Sequence, residues 1–328
     1  MIWLDLLLIK FAHRGEYESR GIYRVKNQNR EIILSSDHAV YLEDIRNDFD
    51  YYFNAVKPTV NGETQIVDYS SPRLHWIKKF TYFPIHTPSL PESMETIFEY
   101  LKFAELRFNA VVLDLGAYSG LSGIKFDQSI PGRGTVISVE PDPKNIPSCR
   151  ENFAKYENTM GRKIILEESA IWTHDKGLRF SSEGNTGSAP LSRLGGRGTA
   201  ITVPTITLSQ LVEKHHLSTV DFIKCDIEGG ELTIFEDPDF FSQFQPKIII
   251  ECHNSPGILD TSIGVSNTLA KYGYSFESVN QPGISCPLLC CSPEGGNLTS
   301  TSQRPMQYGS GTTEATSVKV IGYKSDWI

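Results

Sequence analysis

The residues best suited to chemistry in this sequence lie in two short polar runs that each follow an apolar, strand-like stretch. Their ionisable side chains are Lys224, Asp226, Glu228, Glu251 and His253. Because side chains alternate along a strand, we expect the members of each run to face one side. If the two strands are neighbours, five ionisable groups gather at one sheet edge, which is costly without a function. A structural cluster of salt bridges is the alternative interpretation.

Acid–base chemistry is the use that these residue types favour. The pKa of a free histidine is near neutral, which suits His253 to exchange a proton at physiological pH. We predict that Asp226 positions the reacting groups while His253 or Glu228 takes a proton. The same carboxylates could instead hold a divalent cation, since oxygen ligands suit magnesium. We treat the cation as an alternative and predict no metal site.

A glycine turn follows an earlier apolar run, Val111–Leu115, which predicts a buried strand. Gly116 permits a tight turn and a close backbone approach, and Gly120 lets a helix begin near a ligand. The acidic residue before the turn is Asp114. The spacing Gly-x-x-x-Gly is not the Gly-x-Gly-x-x-Gly of dinucleotide-binding proteins. Glycine turns after strands are common, so this motif alone assigns no ligand.

A second carboxylate favours a nucleoside site. Glu140 lies about twenty positions beyond the glycine turn, at the end of the next expected strand, where an acid can bond both ribose hydroxyls. A plain surface carboxylate is the alternative. The third expected strand ends near Glu168, Ser169 and Ala170, any of which would border the base. We therefore predict that a nucleoside binds at the carboxyl ends of the strands.

The elements that must position these residues alternate along the chain. Helical patterns lie between apolar runs that predict strands. The expected strands cover 111–115, 134–139, 163–166, 220–225, 247–251, 274–279 and 317–321. Such alternation predicts a parallel sheet with helices on both faces, a doubly wound α/β fold. Residues 174–200 look like a hairpin or loop, and the Ser/Thr/Gly/Pro-rich residues 281–315 predict a loop-rich insertion.

Size and charge restrict the function further. The chain has 328 residues and a net charge of -8, which argues against nonspecific nucleic-acid binding and against a membrane-surface anchor. The apolar run at residues 1–10 is too short to span a bilayer, and we expect a buried strand or short helix there. The six cysteines are compatible with a cytoplasmic location. A zinc site at Cys286-x3-Cys290-Cys291 lacks a second ligand pair and is not predicted.

Taken together, the motifs resemble the FkbM-type methyltransferase family of class I S-adenosylmethionine-dependent enzymes. The resemblance is carried by Val111-Val-Leu-Asp-Leu-Gly-Ala-Tyr-Ser-Gly120, Val139-Glu-Pro-Asp142, Val203-Pro-Thr-Ile-Thr-Leu208, Asp221-Phe-Ile-Lys-Cys-Asp-Ile-Glu-Gly-Gly-Glu231 and Ile248-Ile-Ile-Glu-Cys-His253. It spans residues 95–280 and depends on the order and spacing of the motifs. Ser209 departs from the family, which usually has Asp after Thr-Leu.

This resemblance implies a seven-stranded, Rossmann-like sheet of order 3-2-1-4-5-7-6 with strand 7 antiparallel. It implies S-adenosyl-L-methionine as the cofactor and O-methylation of a hydroxyl on a sugar, glycan or secondary metabolite. The cofactor-binding residues expected from the match and from the strand ends are Asp114, Gly116, Ala117, Tyr118, Gly120, Glu140, Pro141, Asp142, Ser169, Ala170 and Asp226.

We divide the chain into an N-terminal extension, 1–92, and a catalytic domain, 93–328. The extension would cover the acceptor side. Its aromatic residues that could stack on a sugar, or more often pack a core, are Tyr69, His75, Trp76 and Tyr82. We expect a small-molecule or glycan acceptor and neither a nucleic-acid nor a membrane partner, and the oligomeric state stays open. A noncatalytic nucleoside-binding protein and, less favoured, an NAD(P)-dependent oxidoreductase are the alternatives.

Overall fold

A large sheet and a smaller N-terminal sheet share one hydrophobic core in the computed structural model. The structure describes residues 16–18, 21–80, 82–191, 198–253, 261–281, 287–294 and 320–321. The strand or helix expected at residues 1–10 therefore lies outside the described residues. None of the helices in the described ranges has the length and apolarity needed to cross a membrane.

The large sheet has eight strands. In spatial order they are Ile165–Glu167, Thr135–Val139, Val111–Leu115, Phe222–Cys225, Lys247–Glu251, Leu288–Pro293, Tyr274–Val279 and Val320–Ile321. The first five are parallel, and Leu288–Pro293 is antiparallel to both of its neighbours. Numbered along the chain, the first seven strands therefore run 3-2-1-4-5-7-6 across the sheet. The doubly wound, mostly parallel α/β sheet expected from the sequence is present.

Side chains of the central strands alternate between two cores, one on each face of the large sheet. Val112 and Phe222 belong to one core, whereas Leu113 and Ile223 belong to the other, and all four are fully buried. The helices after residue 90 are Met94–Ala104, Leu121–Ser129, Ile146–Met160, Leu208–Lys214, Glu231–Ile234, Pro238–Gln243 and Thr261–Ala270. Because the central strands are buried on both faces, their sequences are continuous apolar runs.

The helix Met94–Ala104 begins with a side-chain cap. Ser93 Oγ accepts a hydrogen bond from the Thr96 N–H at 3.3 Å, which satisfies one backbone donor that the helix leaves free. The helix ends where Glu105 adopts a left-handed conformation with φ 47°. It carries Tyr100 toward the end of the strand Lys247–Glu251.

The N-terminal region is built on a five-stranded sheet. Its strands, in spatial order, are Glu16–Glu18, Ile22–Asn27, Arg30–Ser35, Thr64–Tyr69 and Thr59–Asn61. A 3₁₀ helix, Ser36–Tyr41, and two α-helices, Leu42–Asn47 and Phe49–Asn54, lie in the chain between the middle strand Arg30–Ser35 and the edge strand Thr59–Asn61. Two short strands, Arg73–His75 and Ile85–Thr87, form a separate antiparallel pair. The buried residues Ile32 and Leu34 join the core on one face of the large sheet, so this region packs against the sheet directly.

A three-stranded antiparallel sheet lies within residues 174–200, where we expected a hairpin or loop. Its strands are Ala189–Pro190, Leu178–Ser182 and Thr199–Val203. Beside it, Ala170–Ile171 pairs in parallel with Thr205–Ile206. Residues 183–188 form the loop between Leu178–Ser182 and Ala189–Pro190, which we call the hairpin loop.

The C-terminal part differs from expectation at one strand. Residues 281–315 were predicted to be loop-rich, and Leu288–Pro293 within them forms the antiparallel strand of the large sheet. Residues 282–286 and 295–315 of the predicted insertion lie outside the described residues. Its run of Leu288, Leu289, Cys290 and Cys291 is buried, and the surrounding Ser, Gly and Pro residues conceal this short apolar run. The strand expected at 317–321 is described only as Val320–Ile321, at the sheet edge. Cys290 and Cys291 are free thiols within the strand, and Cys286 lies outside the described residues.

Candidate active site

The glycine turn joins the ends of two parallel strands. Gly116 has φ +82°, and a Cβ atom there would lie 1.7 Å from the backbone oxygen of Asp226. No residue with a side chain fits that position without moving the backbone. The Gly116 N–H donates to the Val139 oxygen at 3.0 Å, and Asp226 N–H donates to the Leu115 oxygen at 3.1 Å. The turn therefore fixes how closely three strand ends approach one another.

Gly120 and Tyr118 shape the start of the next helix. Gly120 has φ +82°, and a Cβ atom there would meet the Phe153 ring at 2.5 Å. Tyr118 has φ 50° and donates its backbone N–H to Glu140 Oε2 at 2.7 Å. Its hydroxyl donates to the Leu90 oxygen at 2.7 Å. The turn is thus tied to the neighbouring strand end and to the segment before the helix Met94–Ala104.

Glu140 is held at the end of the second strand with its carboxylate inside a cleft. It is 4% exposed, and Oε1 accepts from Asp142 N–H at 2.8 Å and from the Asn145 amide at 3.4 Å. Burial raises the pKa of Glu140 to about 8, although its hydrogen bonds oppose the shift. A buried carboxylate with backbone-fixed geometry is a suitable acceptor for paired hydroxyl donors.

The cleft beside Glu140, which we call the nucleoside cleft, has a volume of about 60 Å³. It is lined by Glu92, Gly116, Tyr118, Val139, Glu140, Pro141, Asn145, Ala170, Ile171, Trp172, Leu178, Phe180, Asn185, Thr186, Ser188, Pro190, Asp226, Ile227 and Glu228. Four of these residues are acidic and, within the described part of the chain, none is basic. Asn145 Oδ1 is buried without a hydrogen-bond partner among the described atoms. The cleft therefore combines an apolar wall with acceptor groups and negative charge.

The cofactor residues predicted from the sequence divide into two groups. Those that line the nucleoside cleft are Gly116, Tyr118, Glu140, Pro141, Ala170 and Asp226. Those that do not line it are Asp114, Ala117, Gly120, Asp142 and Ser169. In the second group, the side chains of Asp114, Asp142 and Ser169 are hydrogen-bonded to neighbouring residues.

Asp114 is one of the predicted residues that do not line the nucleoside cleft. It is fully buried and accepts hydrogen bonds from Ser122 Oγ at 3.0 Å and Ser138 Oγ at 2.9 Å. Its Oδ1 lies 3.7 Å from Lys224 Nζ, and burial raises its pKa. Asp114 thus stabilises the strand ends and does not reach the cleft.

Asp142 fixes the hairpin loop onto the cleft. Its carboxylate accepts from the hydroxyls of Ser182 at 2.7 Å and Ser188 at 2.5 Å and from Gly184 N–H at 3.1 Å. This brings Asn185 and the rest of the loop to the cleft. Sequence reasoning missed the loop residues, because no local motif indicates which strand end the hairpin will meet.

Of the three residues predicted at the end of the third strand, only Ala170 lines the nucleoside cleft. Ser169 Oγ donates to Glu167 Oε1 at 3.2 Å, away from the cleft. Glu168, also considered as a border of the base, pairs with Arg150 at 2.6 Å. The apolar side of the cleft comes instead from Ile171 and Trp172, which follow Ala170.

Lys224 lies under the site as a buried cation. It is 2% exposed, and Nζ donates to the Gly116 oxygen at 2.6 Å and lies 3.5 Å from Asp226 Oδ2. Burial alone would lower its pKa, but the carboxylates of Asp226 and Asp114 outweigh it and raise the pKa above its usual range. Lys224 therefore stays charged and holds the glycine turn and Asp226 together.

His253 lies among the carboxylates that the sequence expected it to meet. Its Nδ1–H donates to Glu231 Oε1 at 3.1 Å. Its Nε2 lies 3.6 Å from Glu228 Oε1, 3.7 Å from Asp226 Oδ1 and 4.0 Å from Glu251 Oε2. The strand Phe222–Cys225 pairs in parallel with Lys247–Glu251, which is why all five predicted ionisable groups gather.

The electrostatics of this cluster favour positive charge at His253. Burial alone would lower the pKa of His253, yet Glu228, Glu231 and Asp226 raise it well above its usual value. Burial raises the pKa of Glu228 to about 8 and that of Glu251 to about 7. The Tyr100 hydroxyl donates to Glu251 Oε1. From the sequence we considered His253 as a base, whereas its surroundings favour the imidazolium form and leave the carboxylates as proton acceptors.

A second cavity, which we call the acceptor cavity, lies on the other side of the cluster and has a volume of about 250 Å³. It is lined by Tyr41, Asp44, Tyr51, Tyr52, Leu90, Pro91, Glu92, Ser93, Thr96, Ile97, Tyr100, Thr186, Lys224, Asp226, Glu228, Glu251 and His253. The two cavities share Glu92, Thr186, Asp226 and Glu228. The predicted catalytic residues Asp226 and Glu228 therefore lie where the cavities adjoin, and His253 lines the larger one.

The N-terminal region supplies one wall of the acceptor cavity, through residues that sequence reasoning did not select. Tyr41 hydroxyl and Thr186 Oγ1 share a hydrogen bond of 2.9 Å between this region and the hairpin loop. The aromatics considered earlier, Tyr69, His75, Trp76 and Tyr82, do not line either cavity. Tyr69 and His75 are buried in the N-terminal core, and Trp76 and Tyr82 are exposed.

Glu92 is a further residue that the sequence did not reveal. Its Oε2 accepts from Ser119 Oγ at 2.6 Å and from Leu121 N–H at 3.3 Å, at the start of the helix Leu121–Ser129. Burial raises its pKa to about 7, while Lys224 opposes the shift. A lone Glu between Pro and Ser carries no signal of this role.

Ser209, the departure noted in the sequence, is part of a local clasp away from the cavities. Its N–H and Oγ donate to the two carboxylate oxygens of Asp237 at 2.9 and 2.6 Å. These two hydrogen bonds join the first turn of the helix Leu208–Lys214 to Asp237, the residue that caps the helix Pro238–Gln243.

Comparison with known proteins identifies a family for the central part of the chain. The model of the methyltransferase FkbM domain matches residues 114–276. No curated protein matches the chain.

Several solved structures are similar. Precorrin-6y C5,15-methyltransferase from Geobacter metallireducens shares 15% identity, with 61% of this chain and 88% of that chain covered and a TM-score of 0.40. Methyltransferase FkbM from Methylobacillus flagellatus shares 18% identity, with 59% and 50% covered and a TM-score of 0.39. An RNA methyltransferase from Salinibacter ruber, solved with S-adenosyl-L-homocysteine, shares 11% identity, with 65% and 100% covered and a TM-score of 0.35.

Proposed function

We propose that this chain, whose residues 114–276 form a methyltransferase FkbM domain, transfers a methyl group from S-adenosylmethionine to a hydroxyl of a small molecule or glycan. The observation that carries the proposal is the junction of two cavities at Asp226 and Glu228. One cavity has the lining of a nucleoside site and the other has the lining of a polyol site. Methyl transfer needs a donor and an acceptor that meet end to end, which adjoining cavities provide.

The residues of the nucleoside cleft fit S-adenosylmethionine. Glu140 is placed to accept hydrogen bonds from ribose hydroxyls, and Asn145 Oδ1 is a buried acceptor that lacks a partner. Ile171 and Trp172 supply an apolar surface for a base. When bound, the cofactor supplies a methyl group on a positively charged sulfur, and the acidic lining complements that charge.

The acceptor cavity suits a compound with many hydroxyl groups. Tyr41, Tyr51 and Tyr52 present aromatic surface with a polar end, and Asp44 and Thr96 offer further polar contacts. Carboxylates on the cavity floor disfavour an acceptor that carries phosphate or carboxylate near the reacting hydroxyl. We therefore propose a neutral or cationic hydroxyl compound, such as a sugar, a glycan or a secondary metabolite.

The chemistry assigned to the chain is alignment and proton removal. The acceptor oxygen bonds to the methyl carbon while the carbon–sulfur bond breaks and its electron pair goes to sulfur. The hydroxyl proton passes to a carboxylate, which we assign to Glu228 because it borders both cavities. Asp226, held by Lys224, positions the reacting groups, and His253 helps to fix both carboxylates.

The lining of the cleft also separates this proposal from an oxidoreductase. A nicotinamide dinucleotide carries a pyrophosphate, which is usually bound by backbone N–H groups or cationic side chains. The described lining of the nucleoside cleft is acidic instead. A noncatalytic nucleoside-binding protein would bind the cofactor product equally well, and only turnover distinguishes it.

Calorimetry and a transfer assay together test the proposal. We expect S-adenosylhomocysteine to bind the purified protein with one site, and NAD(P) not to bind. Label from methyl-labelled S-adenosylmethionine should pass to at least one neutral or amino sugar or hydroxylated metabolite in an acceptor panel. A well-folded sample with no affinity for either adenosyl compound would contradict the proposal. Binding without transfer to any acceptor of a broad panel would favour the noncatalytic alternative.

A further inference from the structure

The arrangement around His253 Nε2 leaves room for a cation in place of a ring proton. Three carboxylate oxygens surround this nitrogen at 3.6, 3.7 and 4.0 Å, and each lies beyond hydrogen-bond distance. The other ring nitrogen already donates to Glu231. In the imidazolium form the Nε2 proton faces these oxygens, and a divalent cation would replace that proton and bind the Nε2 lone pair.

Two of those separations, from His253 Nε2 to Asp226 and to Glu251, are close to the spacings between ligand atoms around one cation. Nitrogen and oxygen ligands lie about 2.0–2.2 Å from a small divalent metal, which puts neighbouring ligand atoms roughly 3–4 Å apart. One ligand atom each from Asp226, Glu251 and His253 lies within 4.8 Å of the other two. Glu228 is outside this set, although it lies beside His253.

We propose that Asp226, Glu251 and His253 bind a divalent cation at the floor of the acceptor cavity. Two carboxylates and one imidazole are a donor set that Mn²⁺ or Mg²⁺ accepts, with the remaining positions open to the cavity. The sequence left a cation here as an alternative and predicted no metal site; the inference takes up that alternative because one ligand atom of each residue lies within 4.8 Å of the other two.

The surroundings of the three ligands resemble those of built metal sites. Glu231 is fully shielded from solvent and accepts from His253 Nδ1, which fixes the ring so that Nε2 faces the set. Tyr100 donates to Glu251 Oε1, leaving Glu251 Oε2 toward His253. Lys224 contacts Asp226 through Oδ2, which leaves Asp226 Oδ1 free to turn inward.

The cation would act on the acceptor, and this part rests on the proposed function. A hydroxyl oxygen in the acceptor cavity could take an open position on the cation, which lowers the pKa of the hydroxyl. Glu228, which is not a ligand, remains to accept the proton. Metal binding itself needs no methyl transfer and can be tested without an acceptor.

Manganese binding to the full chain, first treated with a chelator, tests the inference. The loss of the paramagnetic resonance signal of free Mn²⁺ gives the stoichiometry and the dissociation constant. The affinity for S-adenosylhomocysteine, measured on the same sample, reports whether the protein is folded. We expect one Mn²⁺ per chain, displaced by Mg²⁺. Glu251→Gln and His253→Gln should each weaken Mn²⁺ at least tenfold, and Glu231→Gln should weaken it about tenfold through ligand orientation.

Glu31→Gln is the matched control, because Glu31 is also a buried carboxylate, 6% exposed against 8% for Glu251, and lines neither cavity. It should leave Mn²⁺ affinity unchanged, and all variants should keep S-adenosylhomocysteine binding as proof of folding. Mn²⁺ that stays free in solution, or that binds Glu251→Gln as it binds the wild type, would overturn the inference. Intact Mn²⁺ binding with no transfer to any acceptor would count against the proposed function and leave the metal site standing.

Discussion

The two cavities of this protein are built in different ways. The nucleoside cleft begins with contiguous segments, a glycine turn and an acid at the next strand end, whose backbone hydrogen bonds fix their geometry. The acceptor cavity is assembled from the N-terminal helices, the helix Met94–Ala104, the hairpin loop and two strand ends. The donor side is therefore built on local motifs and completed by the hairpin loop, whereas nearly all of the acceptor side depends on tertiary contacts between distant segments. Variants that affect one side and spare the other test this division.

The largest expected effect comes from the carboxylate at the junction. Glu228→Gln keeps the size of the side chain and removes its ability to take a proton. We expect kcat to fall about 10²–10⁴-fold, the usual contribution of a general base. Stopped or continuous transfer assays on the best acceptor would measure it, with S-adenosylhomocysteine affinity little changed.

Glu31→Gln again serves as the control for that variant and should leave kcat unchanged. If Glu228→Gln turns over at the wild-type rate, the proton goes elsewhere and Glu228 is not the base. If Glu228→Gln loses S-adenosylhomocysteine binding as well, Glu228 also holds the cofactor product, and the fall in kcat does not identify it as the base.

The next effect concerns the donor side alone. Glu140→Gln removes the carboxylate that we assign to the ribose hydroxyls, and its effect is measured at about pH 9, above the Glu140 pKa of about 8, where the wild-type side chain is charged. A hydrogen bond to a charged group contributes about 1.5–3 kcal/mol, so S-adenosylhomocysteine should bind roughly 10–150-fold more weakly by calorimetry. At saturating S-adenosylmethionine, kcat and the KM for the acceptor should change little. Unchanged affinity would mean that Glu140 only holds the glycine turn.

The raised pKa of Glu140 also predicts how the free energy of unfolding depends on pH. Burial raises the pKa of Glu140 to about 8 in the folded protein, from its ordinary value of 4.5. Between those values the folded state holds a proton that the unfolded chain has lost, so this group's contribution to stability is lost as pH rises from 5 to 8. The free energy of unfolding of Glu140→Gln should therefore fall less than that of the wild type over this window, by chemical denaturation without ligand. An equal or steeper fall in the variant would show that Glu140 is already ionised at pH 5.

The division between the cavities also explains what the sequence could predict. Gly116 and Glu140 carry their roles in residue type and spacing, since a positive φ and a buried acid at a strand end leave few alternatives. The gathering of Asp226 and His253 follows once their strands are neighbours. Thr186 and Tyr41 give no such signal, because 145 positions separate them and only the folded chain makes them neighbours.

Two features differ from what the sequence led us to expect. The family resemblance implied that Asp114 lies at the cofactor, whereas its carboxylate is bonded by the hydroxyls of Ser122 and Ser138 and it does not line the nucleoside cleft. Composition concealed the strand Leu288–Pro293, whose four buried residues are too few to stand out among Ser, Gly and Pro. Sequence patterns therefore do not predict which side chains will bond a buried acid, and they do not reveal a buried strand of only a few residues.

The smallest predicted effect is on the contact that joins the two parts of the acceptor side. Tyr41→Phe and Thr186→Val each remove one hydroxyl of the hydrogen bond between the N-terminal region and the hairpin loop. A neutral hydrogen bond contributes about 0.5–1.5 kcal/mol, so each should raise the acceptor KM roughly two- to tenfold. Because both changes break one bond, the double variant should resemble the single variants instead of adding their effects. Additive effects would mean that the two hydroxyls act on the acceptor separately, and a matching loss of S-adenosylhomocysteine affinity in Tyr41→Phe would show that the two cavities are not energetically separate.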